Sequence, residues 1–236
     1  MSKIPVMEIF GPTIQGEGMV IGKKTMFVRT GGCDYKCSWC DSSFTWDGTG
    51  SSTSMTAEEI LSDLQKIGGD QFSHVTISGG NPALHKGIGE LVDHLSQLGI
   101  ETAVETQGTF WKDWLTDITD VTISPKPPSS GMTTDFAKLD VFYERLSKEQ
   151  TSLKVVVFDD VDFAYAEDIH SRYPEFPFYL QVGNEDATTT NDQALVSDLL
   201  EKYEWLIDKT VASKTMNKAR VLPQLHTLVW GNKRGV

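Results

Sequence analysis

Cysteine is scarce in this chain: three in 236 residues, with no fourth to complete a second pair. An odd count in a chain with no secretory features speaks against a disulfide framework. Long apolar runs are missing too; none approaches the roughly 18 residues that a membrane span needs. The opening MSKIPVMEIFGPTIQGEG lacks a signal-peptide layout, because Pro, Glu and Gly break up its apolar residues, so a cytoplasmic location is expected. Basic charge is in deficit, with 21 Lys and Arg against 33 Asp and Glu, a net charge of -12 and a pI of about 4.8. No basic stripe is available for phosphate backbones, so a nucleic-acid partner is not expected. Single residues such as Arg29 and Lys126 could still hold a small anion.

What remains is an ordinary globular composition, 39% hydrophobic and 10% aromatic, with no low-complexity segment or linker. A single domain over 1–236 is expected, with short N-terminal and C-terminal extensions. Strands are expected at 26–30, 74–78, 100–106, 120–124, 152–158 and 178–182, and a last one within 220–231. Helices are expected at 55–68, 84–98, 135–147, 160–172 and 191–207, with a short one at 110–117. The first opens on Thr56 with Glu59 three residues on, a capping box. Inward faces are marked by Ile60, Leu61, Leu64 and Ile67, by Leu91, Leu95 and Leu98, and by Leu195, Leu199, Leu200, Tyr203 and Leu206. Segments 45–54 and 125–135 read as mobile loops.

Strands alternating with helices imply an α/β fold with a mostly parallel sheet; about six or seven strands imply a partial, incomplete TIM-type barrel. The unusual polar residues fall where strands end: Arg29 and the cysteine loop, Ser78, Glu105 with Thr106, Ser124 to Lys126, Gln181, and His226 at the last. In a parallel barrel those ends share one rim, where catalytic groups collect.

All three thiols lie in CDYKCSWC: Cys33, Cys37 and Cys40. Incidental core cysteines would not gather within eight residues, so metal chemistry is the better reading. Structural zinc takes about four protein ligands, and a distant His or Asp would have to supply the last. A four-iron cluster on three thiolates instead leaves one iron open to chelate the amino and carboxylate groups of S-adenosylmethionine. Reduced clusters reach potentials low enough for one-electron chemistry. Electron transfer into the sulfonium would then release a 5′-deoxyadenosyl radical. Trp39, just before the last cysteine, suits this pattern and also plain packing.

The spacing C-DYK-C-SW-C resembles the signature of the radical S-adenosylmethionine (SAM) superfamily, whose fold is a partial α/β barrel. FGPTIQGEG (10–18), FVRTGGCDYKCSWCDS (27–42), SGGNP (78–82), ETQGT (105–109), SPKPP (124–128) and the terminal LPQLHTLVWGNKRGV together resemble the 7-carboxy-7-deazaguanine synthase family. The likeness covers nearly the whole chain. It implies a lyase of 7-deazapurine and queuosine biosynthesis that turns 6-carboxy-5,6,7,8-tetrahydropterin into 7-carboxy-7-deazaguanine with loss of ammonia. It also implies a 4Fe-4S cluster, S-adenosylmethionine and Mg2+, an electron donor such as flavodoxin, and a homodimer.

Carried onto this chain, the resemblance gives the cluster to Cys33, Cys37 and Cys40, and Mg2+ to Ser42, where many members have Thr. It places S-adenosylmethionine against Trp39, Cys40 and Asp41, against Gly80 and Asn81, against Ser124, Pro125 and Lys126, and near Gln181. Asn81 stands where the family's GGEP turn has Glu, so the methionyl ammonium would meet an amide, a weaker acceptor. The pterin falls to Ile14, Gln15, Gly16, Glu17, Ser78, Glu105 and His226, with Arg29 gripping its carboxylate through a planar fork. Taken alone, Ser42 is a loop hydroxyl, Arg29 a surface ion pair and IQGEG a turn. A glycyl-radical activating enzyme shares the cysteine spacing but not FGPTIQGEG or SPKPP, and a zinc-stabilised binding module would need none of Gln15, Arg29 and Lys126.

Overall fold

Runs rich in Val and Ile line up side by side as strands. The structure, a computed structural model, describes residues 2–236. Strands β1 (Ile4–Ile14) and β2 (Lys24–Thr30) pair antiparallel, and β3 (Thr53–Met55) adds to the far side of β1. From β2 onward every pairing is parallel, through β4 (His74–Gly79), β5 (Glu101–Thr106), β6 (Asp120–Ile123), β7 (Thr151–Val157) and β8 (Phe178–Val182) to β9 (Arg220–Leu222). The order β3-β1-β2-β4-β5-β6-β7-β8-β9 does not close, so the sheet is the expected partial barrel. The connections carry α1 (Ala57–Gly68), α2 (Ile88–Gln97), α3 (Phe136–Arg145), α4 (Asp160–Arg172) and α5 (Asp192–Ala212), and α6 (Leu225–Trp230) ends the chain.

Side chains alternate across a strand, and here the alternation separates chemistry. In β7, Leu153, Val155 and Val157 enter the hydrophobic core with Phe142, Phe163 and Ile169 of the helices. Ser152, Lys154 and Val156 take the opposite face, and the whole strand is buried. The same split sets Val75 and Ile77 against Thr76 and Ser78, and Val121 and Ile123 against Thr122 and Ser124. Each large apolar side chain on the helix side contributes about 1.5–3 kcal/mol by burial. The inner side is left lined with hydroxyl, amide and charged groups.

Several expectations are corrected. β1 escapes a pattern search because Pro5, Gly11 and Pro12 interrupt its alternation, and β3 straddles the end of the segment 45–54 read as a mobile loop and the start of the helix expected at 55–68. The segment 84–98 becomes helical only at Ile88, since Pro82–Leu84 first makes a 3-10 turn. The loop 125–135 is tied down, with Ser38 N–H donating to the Ser130 carbonyl at 3.0 Å. In the last segment the strand stops at Leu222, so His226 sits on α6 and not at a strand end. Ile67, Leu98 and Leu200 are exposed at 49%, 52% and 49%. Ile67 lies in the last turn of α1, Leu98 is the C-cap of α2, and Leu200 points roughly 100° away from the buried Leu199.

Candidate active site

One cavity of about 260 Å3 opens on the inner face of the sheet. Its first wall is the cysteine loop, with Cys33, Cys37, Trp39, Cys40, Asp41 and Ser42 all facing it. A second wall is the segment after β1: Ile14, Gln15, Gly16 and Glu17. Strand ends contribute Arg29, Ser78, Gly80 and Glu105, with Lys126 just beyond β6, and α6 contributes His226. The chain end, Asn232 to Val236, closes over the same space. Gly16 is required where it is, because a Cβ there would run into the ring and backbone of His226.

Four expected residues do not line this cavity. Asn81 is fully buried and its amide is saturated. It donates to Asp34 Oδ1 at 2.8 Å and Thr109 Oγ1 at 3.0 Å, and accepts from Thr106 Oγ1 at 2.8 Å and the Ala83 N–H at 3.2 Å. Ser124 is buried beneath Lys126, whose Nζ donates to its Oγ at 3.0 Å, and Pro125 is buried next to it. Gln181 is fully buried; neither amide atom meets hydrogen-bond geometry with any described residue.

The thiols are free, and Cys37 is the most buried of them. Burial pushes all three up, Cys37 to about 11, with Lys126 pulling the other way on Cys37. Such thiols give up their protons to a metal rather than to water. Trp46 Nε1–H points at Cys40 Sγ from 3.5 Å, and the Gln107 amide at Cys33 Sγ from the same distance. The loop is held from outside by Trp39 Nε1–H, which donates to Ser129 Oγ at 2.9 Å, and by Asp34, which accepts from Gln107 at 2.6 Å.

Across the cavity Arg29 is fixed on every side. Its Nε lies 2.9 Å from Glu8 Oε1, an ion pair without hydrogen-bond alignment, and its Nη1 donates to Ser42 Oγ at 3.0 Å. The guanidinium also lies against the rings of Phe10 and Phe44, at 5.6 and 5.5 Å from their centroids. Deeper in, Lys154 Nζ lies 2.6 Å from Glu17 Oε2 and 2.8 Å from the Glu105 carboxylate. Gln224 donates to Glu17 Oε1 at 3.1 Å, and His226 Nε2 lies 3.9 Å from the same oxygen. Burial alone would push Glu17 up, but Lys154, then His226, outweigh it and hold the carboxyl below its ordinary range.

Residues 27–124 match the Radical SAM superfamily. The crystal structure of QueE from Escherichia coli has the same fold, with a TM-score of 0.71 over 95% of each chain at 23% identity. A protein named 7-carboxy-7-deazaguanine synthase from Bacillus subtilis is 61% identical over 99% of this chain and 98% of its own. One of the same name from Bacillus cereus is 63% identical over 100% of both chains. The chain belongs to the 7-carboxy-7-deazaguanine synthase family. As a radical SAM family, the 7-carboxy-7-deazaguanine synthases use a 4Fe-4S cluster and S-adenosylmethionine. The donor set here fits such a cluster: three thiols on one wall, two N–H groups aimed at sulfur, and no fourth cysteine anywhere in the chain.

Reading the sequence for 7-carboxy-7-deazaguanine synthase motifs missed Glu8, Phe10 and Phe44 around Arg29, and Lys154 between the two carboxylates. Lys154 left a signal. A lone Lys inside the apolar run SLKVVVF has to be paired if that run is a buried strand. Glu8 left none, because β1 itself was not recognised, and Phe10 opens the motif FGPTIQGEG without a role of its own.

Proposed function

We propose that this chain performs its family's reaction, converting 6-carboxy-5,6,7,8-tetrahydropterin into 7-carboxy-7-deazaguanine with release of ammonia. The observation that carries this reading is a single cavity with three thiols on one wall and an arginine, two glutamates and a histidine facing them. When bound, the cluster and S-adenosylmethionine supply the one-electron chemistry.

The protein's own groups hold and orient. Cys33, Cys37 and Cys40 would hold the cluster, with the N–H donors of Trp46 and Gln107 steadying two of the sulfurs. The backbone from Trp39 to Asp41 and at Gly80, with Lys126, would border S-adenosylmethionine. Arg29, already aligned by Glu8 and its two aromatic rings, takes the substrate carboxylate as a bidentate partner. Gln15 and Glu17 meet the donor-rich edge of the pterin. Ser42 would offer its hydroxyl to Mg2+, a site that would need further oxygen donors such as water and the substrate carboxylate. The Asp41 carboxylate accepts from Ser42 Oγ at 3.1 Å and adds negative charge there. Among the described residues no helix is long and apolar enough to cross a membrane. We infer a cytoplasmic, single-domain homodimer that receives electrons from a small carrier such as flavodoxin.

The test is anaerobic: reconstitute with iron and sulfide, reduce, add S-adenosylmethionine, Mg2+ and the carboxytetrahydropterin, and follow products by mass spectrometry. The carboxydeazaguanine is the expected product. Cleavage of S-adenosylmethionine without it would keep the superfamily chemistry and remove the substrate. A colourless protein carrying zinc would end the enzyme reading.

A further inference from the structure

Lys154 is 1% exposed, at the centre of β7, and reaches the inner face only because strand alternation turns it away from Leu153 and Val155. A buried ammonium without anionic partners would be severely destabilising. It has two partners from distant parts of the chain, Glu17 after β1 and Glu105 at the end of β5. Both glutamates line the main cavity. Lys154 does not; it borders a smaller adjoining recess of about 80 Å3 together with Glu17 and Glu105. The ammonium therefore stands on the recess side of two carboxylates that also border the substrate space.

Resting on the functional reading above, we infer that Lys154 is a positioning residue for substrate recognition: it clamps Glu17 and Glu105 side by side as two acceptors for an N–H-rich ring edge. Without it the two like-charged carboxylates would repel each other and move apart, and the paired acceptors that the amino group of a 2-amino-4-oxo ring needs would be lost. The other polar and titratable groups around Glu17 are Gln181, Gln224, His226 and Asp41, the last two offering ligand atoms within 4.8 Å of it and of each other, and Lys126 borders both recesses. None of these touches both carboxylates as Lys154 does.

The test compares wild type, Lys154→Met and Lys154→Arg. Binding of 6-carboxypterin and of its 2-oxo analogue 6-carboxylumazine is measured by calorimetry on the reconstituted protein, alongside KM, kcat and iron content. Wild type should prefer the amino ring. Lys154→Met should lose about tenfold or more of that preference and raise KM by a similar factor, with iron content kept and kcat changed far less. Lys154→Arg should restore the preference. An unchanged preference and KM in Lys154→Met overturns the inference, and so does a parallel loss of iron, kcat and binding, which marks a residue of the fold. If the Met variant does not fold, wild type decides: equal binding of the two rings overturns the inference. Absence of turnover with the amino preference intact would count against the reaction and not against Lys154.

Discussion

At position 81 an amide stands where the family's turn has a carboxylate, and the carboxylate of Asp34 lies directly against it, 2.8 Å away. From sequence, Asn81 reads as a weakened ligand for S-adenosylmethionine. In the fold its side chain is spent inside the protein, tying the cysteine loop through Asp34 to the end of β5 through Thr106 and to Thr109. Asn81→Ala should therefore act as a stability lesion. Leaving these buried groups unpaired is expected to cost about 1–3 kcal/mol, read as a lower urea midpoint. Unchanged stability with weaker S-adenosylmethionine binding would return Asn81 to the cofactor. Arg29 supports the opposite expectation. Its fork is aligned by Glu8 and Ser42 and stacked on Phe10 and Phe44, so Arg29→Lys keeps the charge and loses the planar fit. KM for the pterin should rise about tenfold or more, with the melting temperature little changed.

Among the elements, the start of α4 has the widest reach. Asp162, in its first turn, is fully buried and accepts from Ser129 N–H at 3.0 Å, Ser129 Oγ at 2.6 Å and Phe158 N–H at 3.1 Å. Ser129 in turn accepts from Trp39 and takes Ser38 Oγ on its carbonyl at 2.7 Å. The helix start thus anchors the cysteine loop through Ser129. Asp162→Ala should reduce the iron retained after gel filtration and sharpen the loss on warming, whereas Asp159→Ala, which removes only the helix cap at 2.9 Å, should cost about 0.5–2 kcal/mol with iron retained. Equal iron retention in both variants would count against the anchor. Helix and strand positions were legible at this scale because periodicity is local. The loop 125–135 was misread as mobile because what ties it down is distant in the chain: Asp162 lies 33 residues from Ser129, and Trp39 and Ser38 lie 90 and 91.

At the scale of the whole molecule, the foot of the sheet carries a pH dependence. His74 is fully buried; its Nδ1 lies 2.8 Å from Thr25 Oγ1, while its Nε2 has no partner among the described residues. Burial first, and Lys23 next, push it from 6.5 down to about 4. The folded form thus binds a proton less readily than the unfolded chain, so stability present above pH 6.5 is lost progressively as pH falls toward 4. Thermal melts across that interval should show the loss, and His74→Asn, with no imidazole to protonate, should show a smaller one. A slope identical in both proteins would place the acid sensitivity elsewhere.

The sequence by itself singled out the three thiols and the parallel strands, because both are written in spacing: three thiols within eight residues, and apolar runs between helical periods. It also placed Arg29, Glu17 and Glu105 in the site through motifs read whole. Only the tertiary structure decided which polar residues face the cavity. Inner and outer faces depend on register, and register turned Lys154 inward beneath two glutamates that lie 137 and 49 residues from it in the chain. It buried Asn81 and Gln181 out of reach and put His226 on a terminal helix instead of a strand end. Pairings across such separations leave no trace in any local pattern, since what selects them is the cost of burying a charge or an amide without a partner.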